Sequence, residues 1–218
     1  MKITEALTTF FAGADTVKKL APSNAAARLL GGDTIHALCK LPFGNARLSS
    51  KKGRLTQASL QLHRRQWAST IAAYLDEVSM ISADQLLQCD VRMRQAKMRF
   101  DRPFGSLALN ICGDFLQLPP VDTNGSRLSL AMPLNDTGKT VGRDIDNCDD
   151  REPEGKTAAA ESRQGRMLWT SIQRVVCLTI NVRAPDILSR LQDEMRLGCI
   201  SDAMWELYMS RVLRPQDP

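Results

Sequence analysis

The sequence predicts an α/β fold, in which helices flank a parallel sheet. Two uncharged runs, residues 70–75 and 107–112, have the length and composition of strands buried in such a sheet. An uncharged run of this kind suits a buried parallel strand. Each run is followed at once by carboxylates or by glycine and aspartate, at the strand end where open α/β sheets bind ligands.

A short strand and a helix are predicted near the start of the chain. Residues 17–21 form the strand, although Lys18 and Lys19 make it more polar than an interior strand usually is. The helix follows from Asn24 and ends at the glycine pair 31–32, since glycine readily adopts the left-handed conformation that closes a helix.

A longer helix is predicted after the first buried run. Ser82 and Gln85 have the spacing of a capping box, and the helical pattern continues to about Met98. Its apolar residues, which we expect mostly on the buried side, are Leu86, Leu87, Cys89, Val91 and Met93.

The remainder of the chain is predicted to hold a polar insertion, a strand and three helices. Residues 122–164 are rich in Asp, Gly, Asn and Lys, so we expect a mobile insertion there. The predicted elements beyond it are a helix over 166–172, a strand over 174–179, and helices over 185–197 and 201–211. We expect the first domain to cover residues 1–180 and a second, helical one to begin in residues 181–218.

Composition indicates an intracellular protein with a hydrophobic core. The chain has 218 residues, 43% of them hydrophobic, which suffices for one domain with an extension. No uncharged run approaches the roughly 20 residues that span a bilayer, and no secretory signal is evident, so we expect no membrane association. Six cysteines lack C-x-x-C spacing, and Cys112 and Cys177 fall in predicted buried strands, which favours reduced, packed thiols. The sequence sets no oligomeric state.

Positive charge is concentrated in the first third of the sequence. The net charge is +5, but residues 1–70 hold 11 Lys/Arg and 3 Asp/Glu, and the rest is slightly acidic. Seven basic residues could track a phosphate backbone, and a solvated loop explains them equally well: Lys40, Arg47, Lys51, Lys52, Arg54, Arg64 and Arg65. Few aromatic residues are interleaved with them, so base stacking is poorly supported here.

The first buried run delivers two adjacent carboxylates, Asp76 and Glu77. Adjacent residues leaving a strand point in different directions, so one carboxylate could hold a hydrated magnesium ion while the other polarises a water. Taken alone, the pair is equally a solvated dipeptide at a strand end.

The second run is followed by Gly113 and Asp114, then by Gln117 and a stiff pair of prolines at 119–120. Glycine permits close backbone approach, and the prolines fix the loop behind the glutamine. An amide held in this way can bond both a phosphate oxygen and an attacking water. The alternative is a turn with an exposed glutamine.

These runs belong to a series that resembles the Pif-type (petite integration frequency) superfamily-one DNA helicases, which are related to RecD and to the helicases of Helitron transposons. The similar segments, between about residues 20 and 212, are APSNAAA at 21–27, GDTIHAL at 32–38, LDEVS at 75–79, GDFLQLPPV at 113–121, LTINVRA at 178–184 and RLG at 196–198. They occur in the family's order.

The resemblance implies a partial RecA-like motor domain that uses ATP and Mg²⁺ to unwind DNA in repair, recombination and telomere or genome maintenance. It implies that Asp76 coordinates magnesium, Glu77 activates water, and Gln117 and Arg183 contact the γ-phosphate. Gly113 and Asp114 would belong to the same nucleotide site. The residues implied to contact single-stranded or forked DNA are Ser23, Asn24, Thr34 and His36.

Two of these residues have simpler alternatives, an ordinary surface arginine for Arg183 and a packed histidine for His36. In a eukaryote the resemblance implies the nucleus, with the mitochondrion as the alternative compartment.

The sequence departs from the family in its phosphate-binding loop. Such motors need Gly-x-x-x-x-Gly-Lys-Ser/Thr, whose backbone amides wrap the phosphates, and no segment of the 218 residues supplies it. The Gly-Lys-Thr triplets at 138–140 and 155–157 follow no predicted strand, and we interpret them as accidental. We therefore expect a truncated copy of the motor. The alternative is a catalytically inactive remnant, of a mobile element or of an incomplete gene model, with at most weak DNA binding.

Overall fold

The computed structural model describes residues 15–42, 48, 50, 53–121, 129–131, 153–178 and 186–211. The chain divides into two compact units between Ile172 and Gln173. The parts of the sequence prediction that lie outside the described ranges are Arg47, Lys51, Lys52, Arg183, the triplet 138–140 and most of the predicted insertion, residues 122–128 and 132–152.

The first unit contains a four-stranded parallel sheet, which confirms the α/β class. Its strands are β1 (Val17–Ala21), β2 (Asp33–Thr34), β3 (Ala72–Leu75) and β4 (Ala108–Ile111), in the spatial order β2-β1-β3-β4. In register, Ala21 pairs with Thr34, Leu20 with Leu75, and Leu75 with Ile111. Because all three pairings are parallel, the carboxyl ends of the four strands meet at one edge.

Strand β1 is interior to this sheet, and its two lysines are half-buried. Strand β3 begins two residues later than predicted and is buried along its whole length. The prediction that residues 107–112 form a buried strand holds for one face only. Leu107 is buried and Leu109 and Ile111 pack against the core, whereas Ala108 and Asn110 are exposed because β4 forms the margin of the described sheet. Cys112, which follows β4, is exposed for the same reason.

Four of the helices around the sheet begin at residues that cap them. Helix α1 (Asn24–Leu30) starts at Ser23 and ends at Gly31, whose φ of 68° is left-handed. Helix α4 (Ala83–Lys97) has the predicted capping box, in which Gln85 Oε1 accepts hydrogen bonds from Ser82 N at 3.1 Å and Ser82 Oγ at 3.0 Å. Two helices were not predicted: α2 (Ile35–Leu38), which Thr34 caps, and α3 (Gln57–Trp67), which Thr56 caps.

The hydrophobic core lies between the sheet and helices α2, α3 and α4. Its largest member, Trp67, is fully buried and donates from Nε1 to the carbonyl of Leu38 at 3.3 Å. Other core residues include Leu20, Ile35, Leu75, Ile81, Leu86 and Met93. Burying each large apolar side chain stabilises the fold by about 1.5–3 kcal/mol relative to exposure.

Helix α5 (Pro153–Thr170) packs against the start of α4 and is longer than the predicted helix over 166–172. The contact requires glycine at position 165, because a β-carbon there would lie 1.8 Å from the carbonyl oxygen of Ala83. Helix α5 thus occupies the last part of the segment 122–164, whose mobility stays a prediction.

The second unit contains helices α6 (Asp186–Leu197) and α7 (Asp202–Met209), which agree with the predicted helices to within two residues. The predicted strand over 174–179 is not found in its described part, 174–178. Val175, Val176 and Leu178 are 78, 84 and 92% exposed, and Cys177 is exposed rather than buried. A strand needs a neighbour for its backbone hydrogen bonds, and this segment has no paired strand among the described residues.

None of the helices in the described part of the chain is both long and apolar enough to cross a membrane.

Candidate functional site

The candidate site lies at the edge of the sheet where all four strands end. Ser23 follows the end of β1, Thr34 ends β2, Asp76 follows β3, and Gly113 comes just after β4. Open α/β sheets bind ligands at this edge. The structure therefore brings the described members of the predicted site to one edge of the molecule.

Asp76 and Glu77 differ in backbone conformation, although they are neighbours. Asp76 N donates to the carbonyl of Leu20 at 2.9 Å, so Asp76 extends the pairing of β1 and β3 by one residue. Glu77 has φ 53° and ψ 45°, a left-handed conformation that is uncommon outside glycine. The chain therefore turns sharply at Glu77, and Glu77 N donates to Asp76 Oδ1 at 3.0 Å. Both side chains are half-buried.

The ends of β3 and β4 are joined directly behind these carboxylates. Val78 N donates to the carbonyl of Cys112 at 3.0 Å. A β-carbon on Gly113 would lie 2.8 Å from both Val78 N and Val78 Cγ1. Gly113 thus permits a close approach to the segment that follows Asp76 and Glu77. Val78 is a site residue that the sequence analysis did not identify.

Asp114 accepts three hydrogen bonds from the residues that follow it and so holds the segment after Gly113 in a turn. Asp114 Oδ1 accepts from Leu116 N at 3.0 Å, and its carbonyl accepts from Gln117 N at 3.0 Å. Asp114 Oδ2 accepts from the exposed Gln117 Nε2 at 3.2 Å. Asp114 therefore fixes both the backbone and the side-chain amide of Gln117.

The sulfur of Cys112 is partly shielded from water, although the residue as a whole is exposed. This partial burial raises the pKa of Cys112, and the Asp76 carboxylate raises it further. From the sequence we expected Cys112 to be a packing residue. The influence of Asp76 on its thiol depends on the pairing of two strands, which the sequence alone does not reveal.

The metal-binding capacity of the described residues is small. They hold no group of three or more His, Cys, Asp or Glu that could form a complete metal cage. Asp76 offers one carboxylate at the strand end, and this suits magnesium, which keeps several waters and is usually held by one or two carboxylates plus phosphates.

The β1–β2 half of the edge carries the four residues implied to contact DNA. Ser23 Oγ accepts from Ala26 N, and Thr34 Oγ1 accepts from Ala37 N, both at 3.2 Å, so each hydroxyl caps a helix. A hydroxyl that accepts one bond can still donate another to a phosphate oxygen. Asn24 is exposed and His36 is half-buried.

Two members of the predicted basic surface, Arg64 and Arg65, lie away from this edge. Arg64 and Arg65 lie in the last turn of α3, just before β3 starts. They are therefore at the amino-terminal edge of the sheet, opposite the candidate site. Helix α3 therefore separates these two arginines from Ser23 and Thr34, and the phosphate-tracking role of the basic residues stays a prediction.

A sequence profile described as PIF1-like helicase matches residues 3–137. The chain belongs to the PIF1-like helicase family. Asp76, Glu77, Gly113, Asp114 and Gln117 all fall within the matched residues.

Relatives of this PIF1-like chain include ATP-dependent DNA helicases of eukaryotes. It is 32% identical to PIF1 of Saccharomyces cerevisiae over 115 residues, which cover 53% of the chain and 13% of the yeast protein. It is 36% identical to human PIF1 over 107 residues, which cover 49% of the chain and 16% of the human protein. It is 27% identical to PIF5 of Trypanosoma brucei brucei over 199 residues, which cover 88% of the chain and 20% of the trypanosome protein. The chain thus spans a fifth or less of these relatives.

Solved structures of Pif1 helicases share the fold. The Candida albicans enzyme has a TM-score of 0.65 at 22% identity, covering 99% of this chain and 42% of that one. Bacteroides Pif1 in complex with ADP-AlF3 and single-stranded DNA has a TM-score of 0.61 at 18% identity. The match covers 93% of this chain and 42% of the Bacteroides chain. At these identities the likeness concerns the fold, and it confirms the predicted RecA-like architecture.

Proposed function

We propose that this chain is part of the first motor domain of an ATP-dependent DNA helicase, which couples ATP hydrolysis to DNA unwinding in repair, recombination and telomere or genome maintenance. One observation carries the proposal. Asp76 and Glu77 meet the Gly113–Gln117 segment at the carboxyl edge of the sheet, held by the Val78 N bond to Cys112. Family membership supports the DNA helicase class.

Asp76 would hold Mg²⁺ when ATP is bound, and the ion would neutralise phosphate charge during transfer. Asp76 suits this role because its backbone continues the ladder of the sheet, which fixes the carboxylate on a rigid element. One of its oxygens accepts from Glu77 N, so the carboxylate is oriented before any ligand arrives.

Glu77 would act as the general base that orients and polarises the attacking water. Its left-handed backbone turns the chain away from the strand, so the two carboxylates serve different partners. A residue held in this conformation costs free energy, and such strain is concentrated at functional sites.

Gln117 would sense the terminal phosphate. Asp114 accepts from its Nε2, which leaves the second N–H of that amide to donate to a phosphate oxygen. Arg183 would stabilise charge developing on the transferred phosphoryl group, a role that Arg residues fill in other nucleotide hydrolases.

Single-stranded or forked DNA is the proposed partner of the β1–β2 half of the edge. Ser23, Asn24, Thr34 and His36 lie there, and short polar side chains suit contacts to sugar and phosphate. A Pif1 structure at forked double-stranded DNA supports this choice of partner for the family. The proposed compartment is the nucleus of a eukaryotic cell, with the mitochondrion as the alternative.

A non-catalytic remnant is the second candidate, favoured by the missing Gly-x-x-x-x-Gly-Lys-Ser/Thr motif. Without the amides and lysine of that loop, the 218 residues lack the main source of phosphate affinity. We therefore expect the purified 218-residue polypeptide to hydrolyse no ATP by itself, whichever candidate is right.

The test is phosphate release from Mg-ATP with and without single-stranded DNA, measured for the chain and for Glu77→Gln. Release should equal that of Glu77→Gln under both conditions. DNA-stimulated release that disappears in Glu77→Gln would show that the chain hydrolyses ATP without the loop, and would exclude the remnant.

A further inference from the structure

We propose that a second surface, at the amino-terminal edge of the sheet, binds single-stranded nucleic acid by stacking a base on Phe100. We call it the Phe100 surface, and its members are Arg64, Arg65, Lys97, Arg99, Phe100 and Arg102. It lies opposite the candidate site and goes beyond the proposed function.

The contacts of Lys97 and Arg64 bring this surface together. Lys97 Nζ donates to the carbonyls of Trp67 at 3.2 Å, Ala68 at 3.0 Å and Thr70 at 2.9 Å. Arg64 Nε donates to the carbonyl of Gln95 at 3.3 Å. The end of α4 is thus fixed beside the end of α3, and the cations of two distant sequence segments share one edge.

Phe100 is exposed on a braced loop. Arg94 Nη1 donates to the Phe100 carbonyl at 2.7 Å, and Arg99 N donates to the Arg94 carbonyl at 3.1 Å. Asp90, which is 3% exposed, accepts from Arg94 Nε at 2.7 Å and from Phe104 N at 2.5 Å. Phe100 nevertheless remains 60% exposed. The loop therefore holds an apolar ring in water rather than packing it into the core.

The surroundings of Phe100 are cationic. Asp90 is buried and already paired with Arg94, while Asp101 makes only a long contact of 3.6 Å with Arg102, in which both side chains are exposed. Burial lowers the pKa of Lys97, and the neighbouring charge of Arg99 lowers it further. Asp15 also lies at this edge, since its carbonyl accepts from Ser69 Oγ at 3.2 Å. The five cations of the Phe100 surface outnumber Asp15 and Asp101, so the charge at this edge favours a polyanion.

A nucleic acid fits the combination of groups better than other polyanions do. Guanidinium groups bind phosphate oxygens through two parallel hydrogen bonds, and an exposed aromatic ring stacks bases of any sequence. A base must be unpaired to stack on Phe100, which specifies a single strand. An acidic protein would use the charges and leave the ring without a role.

The first experiment measures binding of a labelled oligo-dT strand to the whole chain, by fluorescence anisotropy in low salt without nucleotide. Phe100→Ala should weaken binding at least about fivefold, the cost of one lost base stack. Arg99→Glu should weaken binding and make it less dependent on salt. The matched controls are Trp205→Ala, another exposed aromatic, and Arg163→Glu, the same charge change on α5. Unchanged thermal melting of each variant shows that it folds.

The second experiment locates the contact. A strand carrying 5-iodouracil, irradiated on the chain, should cross-link to a peptide that contains Phe100. Normal affinity in Phe100→Ala with no cross-link between residues 98 and 102 would overturn the proposal. Binding to anionic vesicles that needs Phe100, without an effect of Phe100→Ala on DNA, would also overturn it and indicate a membrane. Neither readout involves ATP, so failure of the proposed helicase function would leave both interpretable.

Discussion

Gly113 lies so close to Val78 that a β-carbon at position 113 would stand 2.8 Å from both the amide nitrogen and Cγ1 of Val78. Val78 follows Glu77 in the chain, and its amide also bonds the carbonyl of Cys112. The two motifs that supply the hydrolytic side of the proposed site are therefore packed against each other. A substitution in one motif should alter the backbone position of the other.

Gly113→Ala should destabilise the fold by about 1–3 kcal/mol, because one added methyl group must displace the backbone of Val78. Urea unfolding at neutral pH measures the change. Leu116→Ala is the control, since Leu116 is 58% exposed in the same loop and its loss should cost no more than about 0.5 kcal/mol. Equal stability of Gly113→Ala and the unmodified chain would contradict the close packing.

Glu77→Gly should be more stable than Glu77→Ala by about 1 kcal/mol. Both changes remove the carboxylate, but only glycine adopts the left-handed backbone of position 77 without strain. The free energy of unfolding of the two variants is compared under one condition. An alanine variant as stable as the glycine variant would mean that the turn at Glu77 carries no strain.

Asp90→Asn should cost about 2–4 kcal/mol, because Asp90 is buried and holds both Arg94 and the amide of Phe104. Asp101→Asn is the matched control. It makes the same charge change in an exposed pair, so its effect should stay below about 0.5 kcal/mol. Similar unfolding energies for both variants would show that Asp90 does not brace the loop of Phe100.

His63 should make the fold less stable in acid. Burial is the main cause that lowers its pKa from 6.5 to about 4, so the folded chain keeps it neutral. Protonation then favours the unfolded state, and stability that is present above pH 6.5 should decline as the pH falls towards 4. The loss due to His63 reaches at most about 3 kcal/mol.

Unfolding in urea between pH 7 and pH 4 measures this decline. His63→Gln should flatten the curve, while His36→Gln, which alters the other histidine, should leave its slope in place. A slope that survives His63→Gln would assign the pH dependence to other groups.

Local patterns predicted the elements that local residues determine. The capping box of Ser82 and Gln85 and the left-handed Gly31 depend on neighbours within a few positions, and the structure has both. Helix α3 was not predicted, because its basic residues were interpreted as a charged run rather than as part of a helical pattern.

Features that depend on distant pairing could not be predicted in the same way. The strand expected over 174–179 has the right composition, but its described residues have no paired strand, and composition does not reveal that. The close approach of Gly113 to Val78 and the influence of the Asp76 charge on the Cys112 thiol arise from the register of β3 and β4. The Phe100 surface likewise combines segments that only the fold brings together.

The central claim is that residues 76–117 of this chain still form the hydrolytic side of a helicase motor, and a transplant tests it most directly. The 107 residues of this chain that match human PIF1 would replace their counterparts in the human helicase, which supplies the rest of the motor. We predict ATP hydrolysis stimulated by single-stranded DNA in this chimera, and a loss of about 100-fold or more with Glu77→Gln. A chimera that folds and binds single-stranded DNA but shows no stimulated hydrolysis would contradict the claim and leave a non-catalytic remnant.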